Sequence, residues 1–170
     1  MSVKLELPTF ARPVRGIVPG DHGYLAFLPR ITESPALARI GNAGISGAEL
    51  VKNARVQIRD ERSFCWVDVD VPCIVLAQSY YETGTDLDLY LDLLHELTHV
   101  RQHHEGRDLW DSSYAYHRRP TEIEGYAVAV EEGRRLGMSE TEIVTHLSNP
   151  WMSPTDVREL VAAIDRFLAR

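Results

Sequence analysis

The sequence contains little cysteine and no long hydrophobic run. Cys65 and Cys73 are its two cysteines in 170 residues, which is too few for a disulfide-stabilised scaffold and indicates a reducing compartment. No apolar stretch approaches the roughly 18 residues that a membrane-spanning helix requires. The opening stretch, MSVKLELPTFARPVRG, lacks the long apolar segment of a secretory signal. We therefore expect a cytoplasmic protein that does not associate with a membrane.

Positively charged residues are also scarce. Lys and Arg number 18 against 25 Asp and Glu, which gives a formal net charge of −7 and a sequence pI near 5.5. This balance argues against nucleic acid or an anionic membrane as the main partner. Hydrophobic residues make up 44% of the chain and charged residues 25%, which is enough for an ordinary hydrophobic core. The length suits one domain, so we predict a single domain over residues 1–170.

Strand patterns occupy the middle of the chain. ARVQIRDE alternates apolar and polar residues, and FCWVDVDVPCIVLAQ contains two β-rich runs separated at Pro72. We expect two or three strands of one sheet over 55–78. Residues 1–54 are harder to interpret, because proline and glycine are frequent there. In that region we predict only a short strand in YLAFLPR and one or two helical turns in SPALARIG.

Helical patterns dominate the chain after Thr85. The first helix is the strongest, because its leucines cover more than half of its circumference and predict a buried position. N-cap side chains, a capping box and proline in the first turn supply the start signals. The predicted helices cover about 86–105 after Thr85, about 121–136 after Pro120, Ser139 and Glu142 to about 148, and Ser153–Pro154 to the end. Strands followed by helices predict an α+β fold, with a sheet and one helix over 55–105 and a helical part over 121–170.

The stretch LDLLHELTHVRQHHEG places a His-Glu-x-x-His motif on the first predicted helix. Residues four apart lie on the same face of a helix, so His95 and His99 can direct two imidazole nitrogens at one metal ion. Zinc accepts such nitrogens at about 2.0–2.1 Å in a tetrahedral shell. Glu96 is rotated by about 100° from His95, so its carboxylate lies beside the ion and can act as a general base towards water. The motif therefore predicts a zinc site with two histidine ligands and a built-in base.

A third protein ligand must come from elsewhere in the chain. The metzincin extension of the motif needs Gly and His where this sequence has Gln102 and Glu105. The start of the second helix, RRPTEIEGYAVAVEEG, offers Glu122 and Glu124, and residues two apart point to nearly opposite sides, so only one can reach the metal. We prefer Glu124, because small residues follow it and would let the two helices approach closely. A competing interpretation pairs Glu124 with Thr121 in a capping box.

Together these residues resemble the zincin metallopeptidases, and specifically the gluzincin branch, in which a downstream glutamate is the third ligand. The resemblance consists of HELTH at 95–99 and of Glu124 in Glu-Gly-Tyr-Ala, 25 positions after His99. It extends over roughly residues 65–130, and the small, minigluzincin type is the one that the chain resembles. It implies a zincin-like fold with a small twisted sheet packed on an active-site helix. It also implies a zinc ion held by the two histidines and Glu124, with Glu96 as base in peptide-bond hydrolysis.

Peptide hydrolysis by this route also needs a donor that stabilises the developing oxyanion. The loop before the second helix offers His117 and Tyr116, which we prefer in that order. Tyr114 in the same loop and Tyr126 on the helix are further candidates. Packing in the core or on the surface explains a tyrosine equally well.

Two other side chains have competing interpretations. Asp92, three residues before His95, can fix the tautomer of that imidazole through a hydrogen bond, although a surface charge is the more common role for such a residue. Cys73 can occupy the open position of a zinc ion as a thiolate and silence the site. A buried strand cysteine is the simpler interpretation.

The combined prediction is a zinc-dependent metallohydrolase, and specifically a metallopeptidase that acts on a peptide or protein substrate. Two alternatives stay open at the level of the sequence. A zincin-like domain can bind or regulate a partner without peptidase activity, and a His-Glu-x-x-His metalloenzyme can act on a small molecule. A chain of 170 residues leaves little room for a long substrate cleft, which keeps the small-molecule alternative open.

Overall fold

Four short strands form one mixed sheet in the computed structural model, which describes residues 6–170. They are β1 (Gly20–Gly23), β2 (Arg55–Arg59), β3 (Cys65–Asp68) and β4 (Cys73–Ala77). The strand order is β1-β2-β4-β3. The central pair, β2 and β4, is parallel, and the outer strands β1 and β3 are antiparallel to their neighbours. Strand β3 is therefore an edge strand.

Helices make up most of the remaining described chain. The longest is α5, and its N-cap Thr85 accepts a hydrogen bond from the backbone amide of Asp88 at 3.1 Å. Short 3-10 turns at Thr9–Ala11, Ile31–Glu33 and Tyr116–Arg118 connect other elements. The helices are α1 (Tyr24–Phe27), α2 (Ala36–Ile40), α3 (Gly47–Asn53), α4 (Gln78–Thr83), α5 (Asp86–His104), α6 (Pro120–Leu136), α7 (Glu140–Leu147) and α8 (Pro154–Leu168).

Helix α5 lies at the centre of the packing. It contacts β3 and β4 of the sheet as well as α6, and α6 in turn packs against α8. Every residue from 93 to 102 is buried, and so are all five residues of β4. The polar residues of the His-Glu-x-x-His motif are thus carried on a helix that is surrounded by the core, where a buried polar group needs a partner.

The strands over 55–78 and the four helices after Thr85 are confirmed, and with them the α+β class. The predicted strand in YLAFLPR is wrong, because this stretch begins with the helix α1. Its fully buried residues Tyr24, Phe27 and Leu28 are spaced three and four apart, which is the period of a helix rather than of a strand. The helices α3 and α4 were not predicted. No helix in the described part of the chain is long and apolar enough to cross a bilayer.

Burial predicts how much β4 contributes to stability. Val75 is fully buried, so we expect Val75→Ala to lower the free energy of unfolding by about 2 kcal/mol through lost apolar burial and a residual cavity. Val71 lies just before β4 and is 53% exposed, so the same change there should cost less than about 0.5 kcal/mol. Urea denaturation measures both variants. Equal effects would contradict the buried position of β4.

Candidate metal centre

Helix α5 brings the two motif histidines together as its geometry predicts. The ring centroids of His95 and His99 lie 4.5 Å apart, with an angle of 89° between the ring planes. Both rings are buried, and both Nε2 atoms face the carboxylate of Glu122 at the start of α6. The distances to Glu122 Oε2 are 3.3 Å from His95 Nε2 and 3.5 Å from His99 Nε2.

These distances fit a tetrahedral metal ion. Two ligand atoms on zinc, each at about 2.0–2.1 Å from the ion, are about 3.3–3.4 Å apart when the coordination is tetrahedral. Both histidine–glutamate distances are close to that value, and the three ligand atoms lie within 4.8 Å of one another. Oε2 of Glu122 has no hydrogen-bond partner among the described residues. The buried group of His95, His99 and Glu122 could therefore hold a metal ion.

The preference for Glu124 as the third ligand is corrected by the structure. Its Oε1 accepts a hydrogen bond from Arg101, and its Oε2 accepts one from Arg107 and another, at 2.9 Å, from Gln102 Nε2. Burial alone would raise the pKa of Glu124, but these donors outweigh it and lower the pKa. Because Arg101 and Arg107 already bind this carboxylate, Glu122 on the other side of the helix takes the position beside the histidines.

The capping-box interpretation of Glu124 is also corrected. Helix α6 begins at Pro120 with Arg119 as N-cap, and no side chain caps it. Thr121 is inside the helix rather than before it, so Glu124 is not in the position that a capping box requires. The confirmed capping box of the region is that of Ser139 and Glu142, at the start of α7.

Gln102 orients one of the histidines, a role that sequence reasoning missed. Its amide nitrogen donates to the carbonyl of Thr121 at 3.1 Å, so its Oε1 faces His99 Nδ1 at 2.7 Å. An amide oxygen accepts hydrogen bonds only, which means that His99 carries a proton on Nδ1. The lone pair of neutral His99 is then on Nε2, the atom that faces Glu122. Such a partner fixes both the tautomer and the direction of a metal ligand.

Gly125 and Tyr126 enclose His95. A Cβ added at Gly125 would lie 3.0 Å from both Cε1 and Nδ1 of His95, so the rings fit because this position has no side chain. The ring centroid of Tyr126 is 4.1 Å from that of His95. Asp92 does not orient His95, which was the less common of the two roles considered for it. Asp92 accepts a hydrogen bond from Tyr80, and Nδ1 of His95 is buried without a partner among the described residues.

Burial and charge act in opposite directions on the ionisable groups of the site. Burial alone would raise the pKa of Glu122, but the adjacent imidazoles of His95 and His99 outweigh it and hold the pKa well below its usual range. Burial alone would lower the pKa of His99, and the paired carboxylate instead raises it to about 9. The pKa of Glu96 is raised, chiefly by burial and despite the nearby imidazoles. The site therefore holds a compensated ion pair beside a carboxyl group that has no counter-ion of its own.

Glu96 lies where two open cavities meet. Each cavity has a volume of about 400 Å³, and Oε2 of Glu96 is buried without a hydrogen-bond partner among the described residues. One cavity extends towards α7 and contains several acidic residues, and the other extends towards β3 and is mainly apolar. The residues that line both cavities are Cys65, His95, Glu96, Tyr116 and Trp151.

The two candidate oxyanion donors lie in different surroundings. Tyr116 lines both cavities, and its hydroxyl is 2.8 Å from that of Tyr126. Burial raises the pKa of Tyr116 well above its usual value, which keeps the hydroxyl protonated. The ring of His117 instead faces α8, with Nε2 3.1 Å from Glu159 and Nδ1 3.6 Å from Asp156. Tyr116 therefore lies beside the His95–His99–Glu122 group, whereas the preferred candidate His117 does not line either cavity.

Three other residues have places that bear on the site. Tyr114 is exposed and is not among the residues that line the cavities. Cys73 is buried in β4 away from both cavities, as the simpler interpretation has it, and the cysteine beside Glu96 is Cys65. Trp151 lines both cavities. Contacts of this kind come from packing between elements that are far apart in the sequence, so no local sequence pattern predicts them.

The third ligand can be identified by comparing two glutamates. We expect Glu122→Gln to weaken zinc binding by more than the roughly 10–100-fold that loss of an orienting partner costs, because it replaces a charged ligand. Glu124→Gln removes the same charge from the same helix and should leave zinc bound with a smaller loss. Competition with a chromophoric chelator measures both affinities. A larger loss in Glu124→Gln would restore Glu124 as the ligand.

Gln102 provides a test of the tautomer argument. Gln102→Leu keeps a side chain of similar size but cannot accept the Nδ1 proton of His99, so we expect zinc affinity to fall by about 10–100-fold. Gln102→Glu retains an acceptor at the same place and should bind zinc more tightly than the leucine variant. Circular dichroism verifies that both variants are folded. Unchanged affinity in Gln102→Leu would show that the amide does not orient His99.

No family model, curated protein or solved structure matches the chain. The function of the metal centre must therefore be inferred from its own atoms. The most informative of these are the His95–His99–Glu122 group, the unpartnered carboxylate of Glu96 and the two cavities beside it.

Proposed function

We propose that the protein is a zinc-dependent hydrolase that cleaves peptide bonds. The observation that carries this proposal is the position of Glu96. Oε2 of its buried carboxylate has no hydrogen-bond partner among the described residues, and the side chain adjoins the His95–His99–Glu122 group and lines both cavities. A purely structural glutamate would be paired when it is this deeply buried. The arrangement supports the gluzincin-like interpretation, with Glu122 as the third ligand.

Each group of the site has a distinct part in this proposal. His95, His99 and Glu122 would hold a zinc ion, which would supply Lewis acidity and lower the pKa of a coordinated water to about 7. Glu96 accepts the proton of the attacking water and delivers it to the leaving amine, as a general base and then a general acid. Tyr116 donates its hydroxyl hydrogen to the oxyanion that develops on the substrate carbonyl. Gln102 and Gly125 hold the ligand rings in position without contacting the substrate.

The shape of the cleft favours a peptide over a small molecule. The two cavities extend in different directions from Glu96, so a chain can pass across the site. Residues Cys65, Trp66 and Val67 of the edge strand β3 line the apolar cavity. An edge strand has unpaired backbone groups that can bind an extended peptide by adding a strand to the sheet. Exposed aromatic side chains at Trp110 and Trp151 are typical of surfaces that contact other chains.

Two aspects of the proposal extend beyond the site. A small sheet packed on the active-site helix supports a zincin-like fold, with the helical part α6–α8 contributing the third ligand. Cys65 and Cys73 are free thiols, which supports a cytoplasmic location. A partner-binding protein without activity would not need an unpaired base beside the metal ligands. That alternative therefore does not explain the position of Glu96.

Replacing the base tests the proposed chemistry. We expect Glu96→Gln to retain close to one zinc ion per chain while peptide hydrolysis falls by about 10²–10⁴-fold, the usual contribution of a general base. The measurement combines metal analysis with mass spectrometry of a digested peptide mixture. Glu131→Gln is the matched control, because Glu131 is an exposed glutamate of α6 that pairs with Arg39.

Two results would contradict the proposal in different ways. Wild-type protein that holds zinc but cleaves no peptide would favour the partner-binding or small-molecule alternative. Equal activity of wild type and Glu96→Gln would show that the cleavage does not depend on this carboxylate, or that another protease contaminates the sample. The proposed site would be supported if Glu131→Gln kept the peptidase activity and a chelator removed it.

A further inference from the structure

The cavity on the α7 side of Glu96 has an acidic wall. Asp88 and Asp92 line it from α5, and Glu142 and His146 line it from α7. No Lys or Arg occurs among the described residues that line this cavity. Glu96 adds a fourth carboxylate, so even with His146 counted as a cation, four carboxylates face one positive charge. A cavity of one predominant sign attracts ligands of the opposite sign.

His146 and the two aspartates form a buried cluster with accessible oxygen atoms. Nδ1 of His146 lies 2.9 Å from Asp88 Oδ1, and its Nε2 lies 3.5 Å from Asp92 Oδ1. Burial alone would lower the pKa of His146, but the two carboxylates raise it. Tyr80 donates a hydrogen bond to the other oxygen of Asp92. Both aspartate side chains stay partly exposed to the cavity, so each can still accept bonds from a ligand.

Several buried polar atoms of this cavity lack a hydrogen-bond partner among the described residues. They are Oε2 of Glu96, Oδ1 of Asn149 and Nε2 of His146. The side chain of His146 is 4% exposed and the residue Glu96 is 5% exposed, so neither group is simply solvated. The two oxygens are hydrogen-bond acceptors, and a buried acceptor without a donor is unfavourable. A ligand with several N–H donors would satisfy them.

Aromatic rings form another part of the cavity wall. Phe64, Tyr80 and Trp151 line the cavity and contact one another, with ring centroids 5.3 Å apart for Phe64 and Tyr80 and 5.9 Å apart for Phe64 and Trp151. The face of an aromatic ring attracts a cation and also packs against the methylene groups of its side chain. Carboxylates and aromatic faces together therefore suit an ammonium or guanidinium group on an apolar stem.

We propose that this acidic cavity binds a positively charged group of the peptide substrate, next to the bond that is cleaved. This rests on the proposed function and adds the class of substrate to it. The apolar cavity on the other side of Glu96, lined by Trp66, Val67 and Leu109, accommodates an uncharged part of the same peptide. The charged group is either a lysine or arginine side chain or the N-terminal α-amine.

Three versions of one peptide mixture separate these possibilities. The mixture contains lysine but no arginine, and it is used with free amines, with acetylated α-amines, and with all amines acetylated. Zinc-loaded wild type measures cleavage, and immobilised zinc-loaded Glu96→Gln measures retention without cleavage. We expect complete acetylation to lower both signals about tenfold, as loss of a charge-assisted hydrogen bond does. A fall at the first acetylation identifies the α-amine, and a fall at the second identifies lysine.

The variant Asp92→Asn should reduce this tenfold preference to about twofold, because it removes one carboxylate from the cavity wall with little change in shape. Asp165→Asn removes the same charge from the surface of α8, where Asp165 pairs with Arg134, and should keep the preference. The wild-type comparison does not depend on how well either variant folds. If Asp165→Asn and Asp92→Asn reduced the preference for free amines over acetylated amines by the same factor, the assignment to this cavity would be overturned.

The outcomes distinguish this inference from the proposed function. Cleavage that is insensitive to acetylation would overturn the inference and leave the hydrolase proposal intact. Retention that depends on the amines, without cleavage by wild type, would support the charged-group site and contradict hydrolysis. Absence of both retention and cleavage in all three mixtures would overturn the inference together with the peptidase proposal.

Discussion

The close approach of α6 to α5 at Gly125 is the constraint on which the metal centre depends. A side chain at this position would press on the ring of His95, so only glycine allows the backbone of α6 to lie so near the imidazoles. Glu122, one helical turn earlier, then reaches both Nε2 atoms. Bonds from Arg101 and Gln102 to Glu124 hold the same turn of α6 from its other side. The ligands are thus positioned by a contact between helices rather than by a flexible loop.

The different roles of Glu122 and Glu124 follow from the cost of burying charge. Arg101 is 5% exposed, and a buried cation without a partner costs several kcal/mol. Glu124 binds Arg101 and Arg107 together, so coordination of a metal by this carboxylate would take it from both cations and leave Glu105 as their remaining acidic partner. Glu122 has only the two imidazoles as partners, and a metal ion can replace their protons without loss of another bond. Residues on α5 and on the loop after it therefore determine which of the two glutamates lies beside the histidines.

Sequence patterns predicted the features that depend on residues close together in the chain. The spacing of His95 and His99 on a leucine-rich helix was sufficient to predict that their rings converge, and alternation and capping signals predicted the strands over 55–78 and the later helices. The third ligand and the orientation of His117 depend on partners far along the chain, namely Arg101 for Glu124 and Glu159 for His117. Gln102 carries no motif at all, since its role exists only once α6 presents a carbonyl to it. Single-sequence reasoning has no access to such contacts.

Burial of the ligand group links occupancy of the site to the stability of the fold. His99 and Glu122 form a compensated ion pair in which the proton is the counter-charge, and a divalent ion that binds there competes with that proton. An ion that binds only the folded protein adds stability, about 4 kcal/mol when its concentration is 1,000 times the dissociation constant. Because the ligands come from both α5 and α6, this stabilisation acts on the helix contact that creates the site. A metal ion bound to His95, His99 and Glu122 would therefore reinforce the packing at Gly125.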